Sequence, residues 1–265
     1  MTDAVAAEIA AYDRVTHAAY RILAERSGGS VSEVDGLLLA AGPHPRAYIV
    51  NSAFRVGPRL SGPEVLDRAR AHYDAMGFGF TVNATAHADV DVASAAADAG
   101  WRRILTLPAM VVREPVAERA LPVGAALRPA DPDRDRHSFG AIAATCFADD
   151  EEEAAAYRLV FDRPAMLGGQ GISTFIASID DQDTAIAWSV VVDGAATVGW
   201  VGTLPAFRRR GLGDLVTRAA TNAAFGLGAS LVTLQASRSG EPVYAAMGYE
   251  TISSETIWFP PAPEA

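Results

Sequence analysis

The sequence predicts an α/β (α+β) fold built from two similar modules. The chain has 265 residues, which exceeds the usual size of a single domain. Half of the residues are hydrophobic, which is enough for two cores. Strand-like and helix-like segments alternate, and the same order of elements occurs at residues 78–104 and again at 230–258. We therefore expect domains over residues 1–115 and 125–265, joined by a linker at 116–124. An unrelated α/β domain in the first half is the alternative.

The first half opens with an amphipathic helix, because apolar residues recur at helical spacing until the glycine- and serine-rich residues 27–30. Ser61 is a typical N-cap, and Gly100 a typical helix end. The expected elements are a helix at 4–26, strands at 37–41 and 46–54, a helix from Ser61 to Met76, a strand at 78–83, a helix at 89–99 and a strand at 101–112.

The second half repeats this order after two helices and a hairpin. Gly168 to Gly171 form a flexible turn, and Pro205 ends a strand because proline cannot donate to a ladder. The expected elements are a strand at 125–128, helices at 134–146 and 151–162, strands at 174–178 and 185–192, a strand ending near Thr203, a helix beginning at Leu212, a strand at 230–236, a short helix from Glu241 and a strand at 251–259.

Composition excludes several classes of function. The net charge of −10 and the pI of about 4.9 argue against a nucleic-acid partner. The single cysteine, Cys146, cannot form an internal disulfide and is expected in the core, and the five histidines lack metal-ligand spacing. The start does not resemble a signal peptide, and no apolar run is long enough for a membrane span. We expect a cytoplasmic protein without metal or membrane partner, and we leave open a homodimer.

One stretch carries the strongest chemical signal. Residues 199–218 predict a strand, a tight basic turn and the start of a helix. The turn holds three successive arginines, Arg208 to Arg210, followed by Gly211 and Gly213. Free amides at a helix N-terminus and the helix dipole favour an anion, and arginine suits phosphate oxygens. The turn is therefore predicted to bind a phosphate or pyrophosphate; an ordinary strand–helix turn with a basic cap is the alternative.

The kind of phosphate ligand follows from the motif. The chain contains no lysine and no Walker loop, and Gly-x-Gly-x-x-Gly is missing at this turn. The turn instead reads Arg-x-x-Gly-x-Gly at Arg208–Gly213, which resembles the acyl-coenzyme A loop of the GNAT acetyltransferase superfamily. A second motif follows in the family's order: a small turn at residues 237–240, a helix with Tyr244, the pair Gly248-Tyr249 and a last strand. The resemblance covers about the last half of the chain.

The resemblance implies acetyl-CoA as co-substrate and a tandem protein of two GNAT-like modules, each a mixed, mostly antiparallel sheet flanked by helices. It places the pyrophosphate on the amides of the turn, and the pantetheine arm beside Val201 and Thr203. Two splayed parallel strands would hold the thioester, with backbone amides polarising its carbonyl. The implied coenzyme-binding residues are Val201, Gly202, Thr203, Arg208, Arg209, Arg210, Gly211, Leu212, Gly213, Asp214 and Ser237.

The resemblance also implies the reaction. The acceptor would be a primary amine, expected on a small molecule, attacking directly in a ternary complex after losing a proton. Tyr244 is the candidate proton donor to the leaving thiolate; packing against Met247 is the alternative. A general base is not evident. The acidic run 149–153 either binds a cationic amine or is a solvated helix start.

Two other functions remain open from the sequence. The chain could be a non-catalytic acyl-CoA-binding sensor or interaction module, or a transferase using a longer acyl-CoA. In the first half, the turn equivalent to Arg208–Gly213 lies at residues 56–63; it lacks the motif, and Pro63 removes a backbone donor. The N-terminal module is therefore predicted to be degenerate and unable to bind coenzyme A.

Overall fold

A computed structural model describes residues 2–262. Within that range the chain forms seven α-helices and one eleven-stranded sheet. The helices are α1 (Asp3–Ser27), α2 (Gly62–Met76), α3 (Val90–Asp98), α4 (Pro132–Phe147), α5 (Glu151–Val160), α6 (Leu212–Gly226) and α7 (Glu241–Ala245). The strands are β1 (Ser30–Val34), β2 (Leu37–Ala41), β3 (Ser52–Arg55), β4 (Thr81–Thr85), β5 (Arg102–Val112), β6 (Ala125–Pro129), β7 (Ile172–Ile179), β8 (Gln182–Val192), β9 (Ala195–Thr203), β10 (Leu231–Gln235) and β11 (Glu250–Phe259).

The sheet is mixed and mostly antiparallel, as predicted. Its strand order is β1-β2-β3-β4-β11-β5-β10-β9-β8-β7-β6. Only the pairs β3–β4 and β9–β10 are parallel among the described strands. Each parallel pair is connected through a helix, α2 or α6, as parallel strands require. The order β2-β3-α2-β4-α3-β5 thus recurs as β8-β9-α6-β10-α7-β11, which confirms the repeated module.

The two halves exchange their last strands. Strand β5 of the first half pairs with β10 of the second, and β11 of the second half pairs with β4 of the first. The two exchanged strands also pair with each other at the centre of the sheet. Each half therefore needs the other's last strand to complete its sheet.

The helices cover the sheet with three apolar clusters. Helices α2 and α3 pack over the first half around Tyr73, Phe80 and Trp101. Helix α6 packs over the second half around Leu215 and Val216. The largest cluster joins α1, α4 and α5 to strands of both halves. Helix α1 thus lies against the second half although it begins the first.

In the first half, one predicted strand had the wrong bounds and one strand was missed. Of the strand expected at 46–54, only residues 52–54 are in a strand, β3, which begins just after Asn51. The Asn51 amide donates to the carbonyls of His44, Pro45 and Gly79, and this side chain fixes residues 44–51 as turns. Strand β1 was not predicted at all.

No helix among the described residues combines the length and apolarity that a bilayer crossing needs.

Candidate functional site

Strand β9 separates from β10 halfway along its length. Parallel pairing joins residues 195–198 to 231–234 and then stops. On its other edge, the register with β8 shifts so that β9 accommodates one extra residue between Gly199 and Gly202. Trp200 lies in this bulge with a φ of +52°, a rare conformation for a bulky residue. The bulge therefore opens a gap between two parallel strands, where the sequence predicted one.

The backbone groups of two residues of β9, Val201 and Thr203, face this gap. The Leu204 amide donates to the Thr184 carbonyl at 2.9 Å, across the hairpin with β8. In an antiparallel ladder, residues alternate between bonding to the neighbour strand and facing away from it. Val201 and Thr203 therefore turn their backbone groups to the open side. The Arg208 guanidinium donates to the Thr203 carbonyl at 3.1 Å, which agrees with that orientation.

The basic turn before α6 adopts a conformation that leaves amides free. Arg209 and Gly211 have φ values of +62° and +80°, and no side chain caps the helix. The first amides of α6, from Leu212 onward, consequently have no acceptor within the helix. With the helix dipole and nearby guanidinium groups, these amides form a site suited to an anion.

A cavity of about 790 Å³, here the α6 cavity, joins the gap to the basic turn. Its lining includes all but one of the residues that the sequence proposed, namely Val201, Gly202, Thr203, Arg208, Arg209, Gly211, Leu212, Gly213, Asp214, Ser237 and Tyr244. The exception is Arg210, whose guanidinium lies 5.3 Å from the Phe207 ring centre instead.

The sequence did not point to several other lining residues. Arg119, from the predicted linker, places Nη1 3.4 Å from the Asp214 carboxylate and adds a third arginine to the cavity. Cys146, expected in the core, is half-buried and lines the cavity, and burial raises the pKa of its thiol. Both approach the turn only through the fold, so no local sequence signal could identify them. The others are Phe147, Val243 and Ala246, whereas Ser239 and Gly240 belong to the turn at 237–240 that the sequence singled out.

Tyr244 lines the α6 cavity. Only 8% of the residue is exposed, and burial raises the pKa of its phenol to about 12. The hydroxyl is therefore protonated throughout the neutral range and can serve there as a proton donor. Its ring also packs in the apolar cluster under α6, close to Met247. A donor role and a packing role are thus compatible at this position.

Two further cavities lie near the gap. A small one of about 150 Å³, the gap cavity, is bounded by Val198, Gly199, Trp200 and Gln235. A larger one of about 500 Å³, the β4–β11 cavity, lies between strands of the first half and the loop from α4 to α5. Phe147 lines all three cavities. Phe147 therefore forms part of the wall of each cavity.

The equivalent turn in the first half is closed. Asp91, at the start of α3, accepts a hydrogen bond of 2.8 Å from the Gly62 amide at the start of α2. The Ser61 amide donates to Glu64. Arg55 forms ion pairs with Asp89 and Asp91 at 2.9 Å and 2.7 Å. The chain's own carboxylates thus occupy the place that an external anion would take.

The described residues contain no group of three or more His, Cys, Asp or Glu side chains placed to hold a metal ion. The site therefore rests on arginines, backbone amides and one phenol. This donor set suits a phosphate-bearing organic ligand.

Comparisons with known proteins agree with this geometry. A family model described as "FR47-like protein" matches residues 176–259, the segment that holds the gap and the turn. A GCN5-related N-acetyltransferase from Kribbella flavida superposes with a TM-score of 0.72 at 20% identity, covering 95% of this chain and 96% of that one. Another from Sphaerobacter thermophilus gives 0.60 at 16% identity, over 87% and 83%.

A tandem GNAT protein from the clavulanic acid biosynthesis pathway gives a TM-score of 0.57 at 18% identity, covering 86% of this chain and 78% of that one. A search of curated proteins finds no match. At these identities the solved structures show the fold, and they share it across both halves of this chain.

Proposed function

We propose that this chain is a GNAT-type acyltransferase whose C-terminal half transfers an acetyl group from acetyl-CoA to a primary amine of a small molecule. The family match over residues 176–259 and the fold shared with GCN5-related N-acetyltransferases support this proposal. One observation carries the proposal. A single cavity joins the unpaired strand gap at Val201–Thr203 to the arginine-rich start of α6.

The residues fit an acyl-coenzyme A in three parts. The amides at Leu212 and Gly213, with Arg208, Arg209 and Arg119, would hold the pyrophosphate. The outward-facing backbone of β9 would bond the pantetheine amides as a neighbouring strand would. The gap cavity, walled by Trp188 and Trp200, would take the acyl group. Its volume of about 150 Å³ favours a short acyl chain over a long one.

Acetyl-CoA supplies an activated acyl carbon to this site. The amine nitrogen would form the new C–N bond as the C–S bond breaks, and the Tyr244 hydroxyl would give its proton to the leaving sulfur. The proton that the nitrogen sheds on becoming an amide would then return to the Tyr244 oxygen. Backbone amides in the gap would stabilise the charge that develops on the carbonyl oxygen, an effect worth a few kcal/mol per donor. The amine must first lose its own proton, and Asp149 and Glu153 line the adjoining β4–β11 cavity as acceptors for it.

A non-catalytic acyl-CoA sensor is the second candidate function. A sensor needs the α6 cavity but has no need of a second cavity on the other side of the gap. The β4–β11 cavity supports the enzyme, because it offers an acceptor a separate entrance.

The proposal is tested by calorimetric titration of the protein with acetyl-CoA, together with Gly211→Pro and the control Gly57→Pro. Gly211 has a φ of +80°, which proline cannot adopt. Gly57 lies in the closed turn and does not adopt a left-handed conformation. We expect binding by the native protein and by Gly57→Pro, and none by Gly211→Pro. Circular dichroism establishes that each variant is folded.

Absence of binding to the native protein would overturn the proposal. Binding without thiol release for any amine in a broad screen would favour the sensor.

A further inference from the structure

The β4–β11 cavity is built by both halves of the chain. The first half supplies strand β4 and residues 46–52, and the second supplies the end of β11 and the loop from α4 to α5. Its volume of about 500 Å³ falls in the range of small-molecule sites. Ion pairs of Arg46 with Asp150 and Glu152 tie the two halves together beside it. The cavity therefore exists only because the modules are joined.

Asn83 on β4 is an unpaired polar group in this cavity. It is 3% exposed, and neither its amide nitrogen nor its carbonyl oxygen has a hydrogen-bond partner among the described residues. A buried amide without partners costs free energy comparable to one or more hydrogen bonds. Since Asn83 lines the cavity, a ligand with a donor and an acceptor would satisfy it.

Unpaired negative charge lies at one end of the cavity, next to the gap. Glu153 is 6% exposed; it accepts hydrogen bonds from the Tyr157 hydroxyl at 2.5 Å and the Asp149 amide at 2.9 Å. Neither the Glu153 nor the Asp149 carboxylate forms an ion pair within residues 2–262. A buried carboxylate gains from a cation, and the ammonium form of an amine would supply one.

An unpaired positive charge, that of Arg102, lies next to the aromatic rings that line the cavity. The Arg102 guanidinium is 5.6 Å from the Phe259 ring centre and forms no ion pair in the described chain. Phe259 packs on Tyr48 at 5.1 Å, and Arg46 lies 5.5 Å from the Tyr48 ring centre, toward the acidic loop. These contacts run from Arg102 to Asp150, so a ligand spanning the cavity would meet opposite charges at its two ends.

The acidic end is the one that leads to the reaction gap. Tyr20, Ile49 and Phe147 line both the β4–β11 cavity and the gap cavity. An amine at that end would thus lie nearest to the strands β9 and β10. The opposite end of the same ligand would reach Arg102.

Resting on the proposed acetyl transfer, we propose that the β4–β11 cavity binds the acceptor, and that this acceptor is a peptide-like amino acid derivative: an amine at one end, a carboxylate at the other and an amide between them. Glu153 and Asp149 bind the amine, Asn83 pairs with the central amide, and Arg102 binds the carboxylate. The acetylated nitrogen is the terminal amine.

The test uses a panel of dipeptides, each in three forms: free, amidated at the C-terminus, and acetylated at the N-terminus. Binding to the full chain is measured calorimetrically without coenzyme, and thiol release is measured with acetyl-CoA. We expect the free dipeptides to bind at least tenfold more tightly than the amidated forms, because Arg102 loses its carboxylate. We expect the N-acetylated forms to bind weakly and to release no thiol.

Two variants test whether Arg102 and Asn83 bind the dipeptide as proposed. Arg102→Ala should remove the preference for the free over the amidated form, whereas Arg103→Ala, whose side chain points to the other face of β5, should keep it. Asn83→Leu should weaken dipeptide binding about tenfold without lowering the melting temperature, because its amide forms no bond that the fold would lose.

The outcomes separate this inference from the proposed function. A protein that binds acetyl-CoA and acetylates simple amines such as benzylamine, with no preference for the free dipeptides and no effect of Arg102→Ala, would overturn the inference and leave the proposed function standing. Dipeptide binding without any acetyl-CoA binding would overturn the proposed function instead. A fall in melting temperature for Asn83→Leu would show that Asn83 serves the fold rather than a ligand.

Discussion

The starts of helices α6 and α2 occupy equivalent places in the two modules but differ in charge. At α6 the turn carries Arg208 and Arg209, and the first amides open onto a cavity of about 790 Å³. At α2 the Gly62 amide bonds to Asp91, a residue that also pairs with Arg55. One helix start is thus available to an external anion, whereas the chain's own carboxylates satisfy the other.

This difference teaches that an anion site can be lost without loss of the fold. The helix dipole and free amides are present wherever a helix begins. What differs is the source of the negative charge that compensates them. Once internal carboxylates do so, the module keeps its stability and no longer needs a ligand, which explains how the first half can serve as a scaffold for the second.

Reversing one charge at each turn tests the comparison most strongly. Arg209→Glu should weaken acetyl-CoA binding by at least 100-fold, about 3 kcal/mol, because a carboxylate then faces the pyrophosphate. Arg59→Glu makes the same change at an exposed position in the closed turn and should alter binding less than twofold. Isothermal titration at two salt concentrations measures both. Equal losses in the two variants would mean that overall charge, not the α6 turn, governs binding.

Removing the Tyr244 hydroxyl should change the rate of acetyl transfer about as much as Arg209→Glu changes the affinity for acetyl-CoA. Tyr244→Phe should lower turnover by about 100-fold, the usual contribution of a positioned proton donor, and leave the acetyl-CoA Kd within twofold. Tyr249→Phe is the control, since its buried hydroxyl bonds to Thr221 at 2.7 Å outside the α6 cavity lining. Stopped-flow thiol release compares the two. An unchanged rate for Tyr244→Phe would leave its ring with a packing role only.

Much of the fold could be predicted from the sequence, because hydrophobic periodicity and glycine or proline punctuation are local signals. Ten of the predicted binding residues that line the α6 cavity lie between Val201 and Ser237, where the motif could be read directly. The strand exchange could not be predicted, since β5 and β11 have the same pattern in either pairing. Arg119 and Asn83 were missed for the same reason: only tertiary structure brings the linker to α6 and strand β4 to the loop after α4.

Glu255 on the exchanged strand β11 tests whether the halves unfold together. Burial above all, with help from the nearby Asp13 and Asp89 carboxylates, raises the pKa of its carboxyl to about 7, although the Tyr12 hydroxyl opposes this with a hydrogen bond of 2.9 Å. Below about pH 4.5 both the folded and the unfolded states are protonated. As the pH rises toward 7 the unfolded state ionises first, so folding stability falls.

The expected loss over this range is about 2–3 kcal/mol. Glu255→Gln should abolish it, giving a protein more stable than the native one above pH 7, whereas Glu250→Gln, exposed on the same strand, should leave the pH dependence unchanged. Urea unfolding from pH 4.5 to 8 measures the difference. A single transition shared by both modules is expected because β11 pairs with β4 and β5 alike. A native stability that rises over this interval would contradict the assignment.

Removing the internal anion of the closed turn should have the smallest effect. Asp91→Ala deletes the acceptor of the Gly62 amide and a partly exposed ion pair with Arg55, at a cost of about 1 kcal/mol. The Arg55 guanidinium lowers the pKa of the Asp91 carboxyl, so this contribution is present above the unfolded-state pKa and is lost as the pH falls through the lower, folded value.

Asp67→Ala, exposed on α2, is the matched control. Denaturant unfolding at pH 7 compares the two, and titration with acetyl-CoA should show no second binding event, because Glu64 and Asp89 remain at the turn. A second site appearing in Asp91→Ala would mean that one carboxylate is all that separates the two modules.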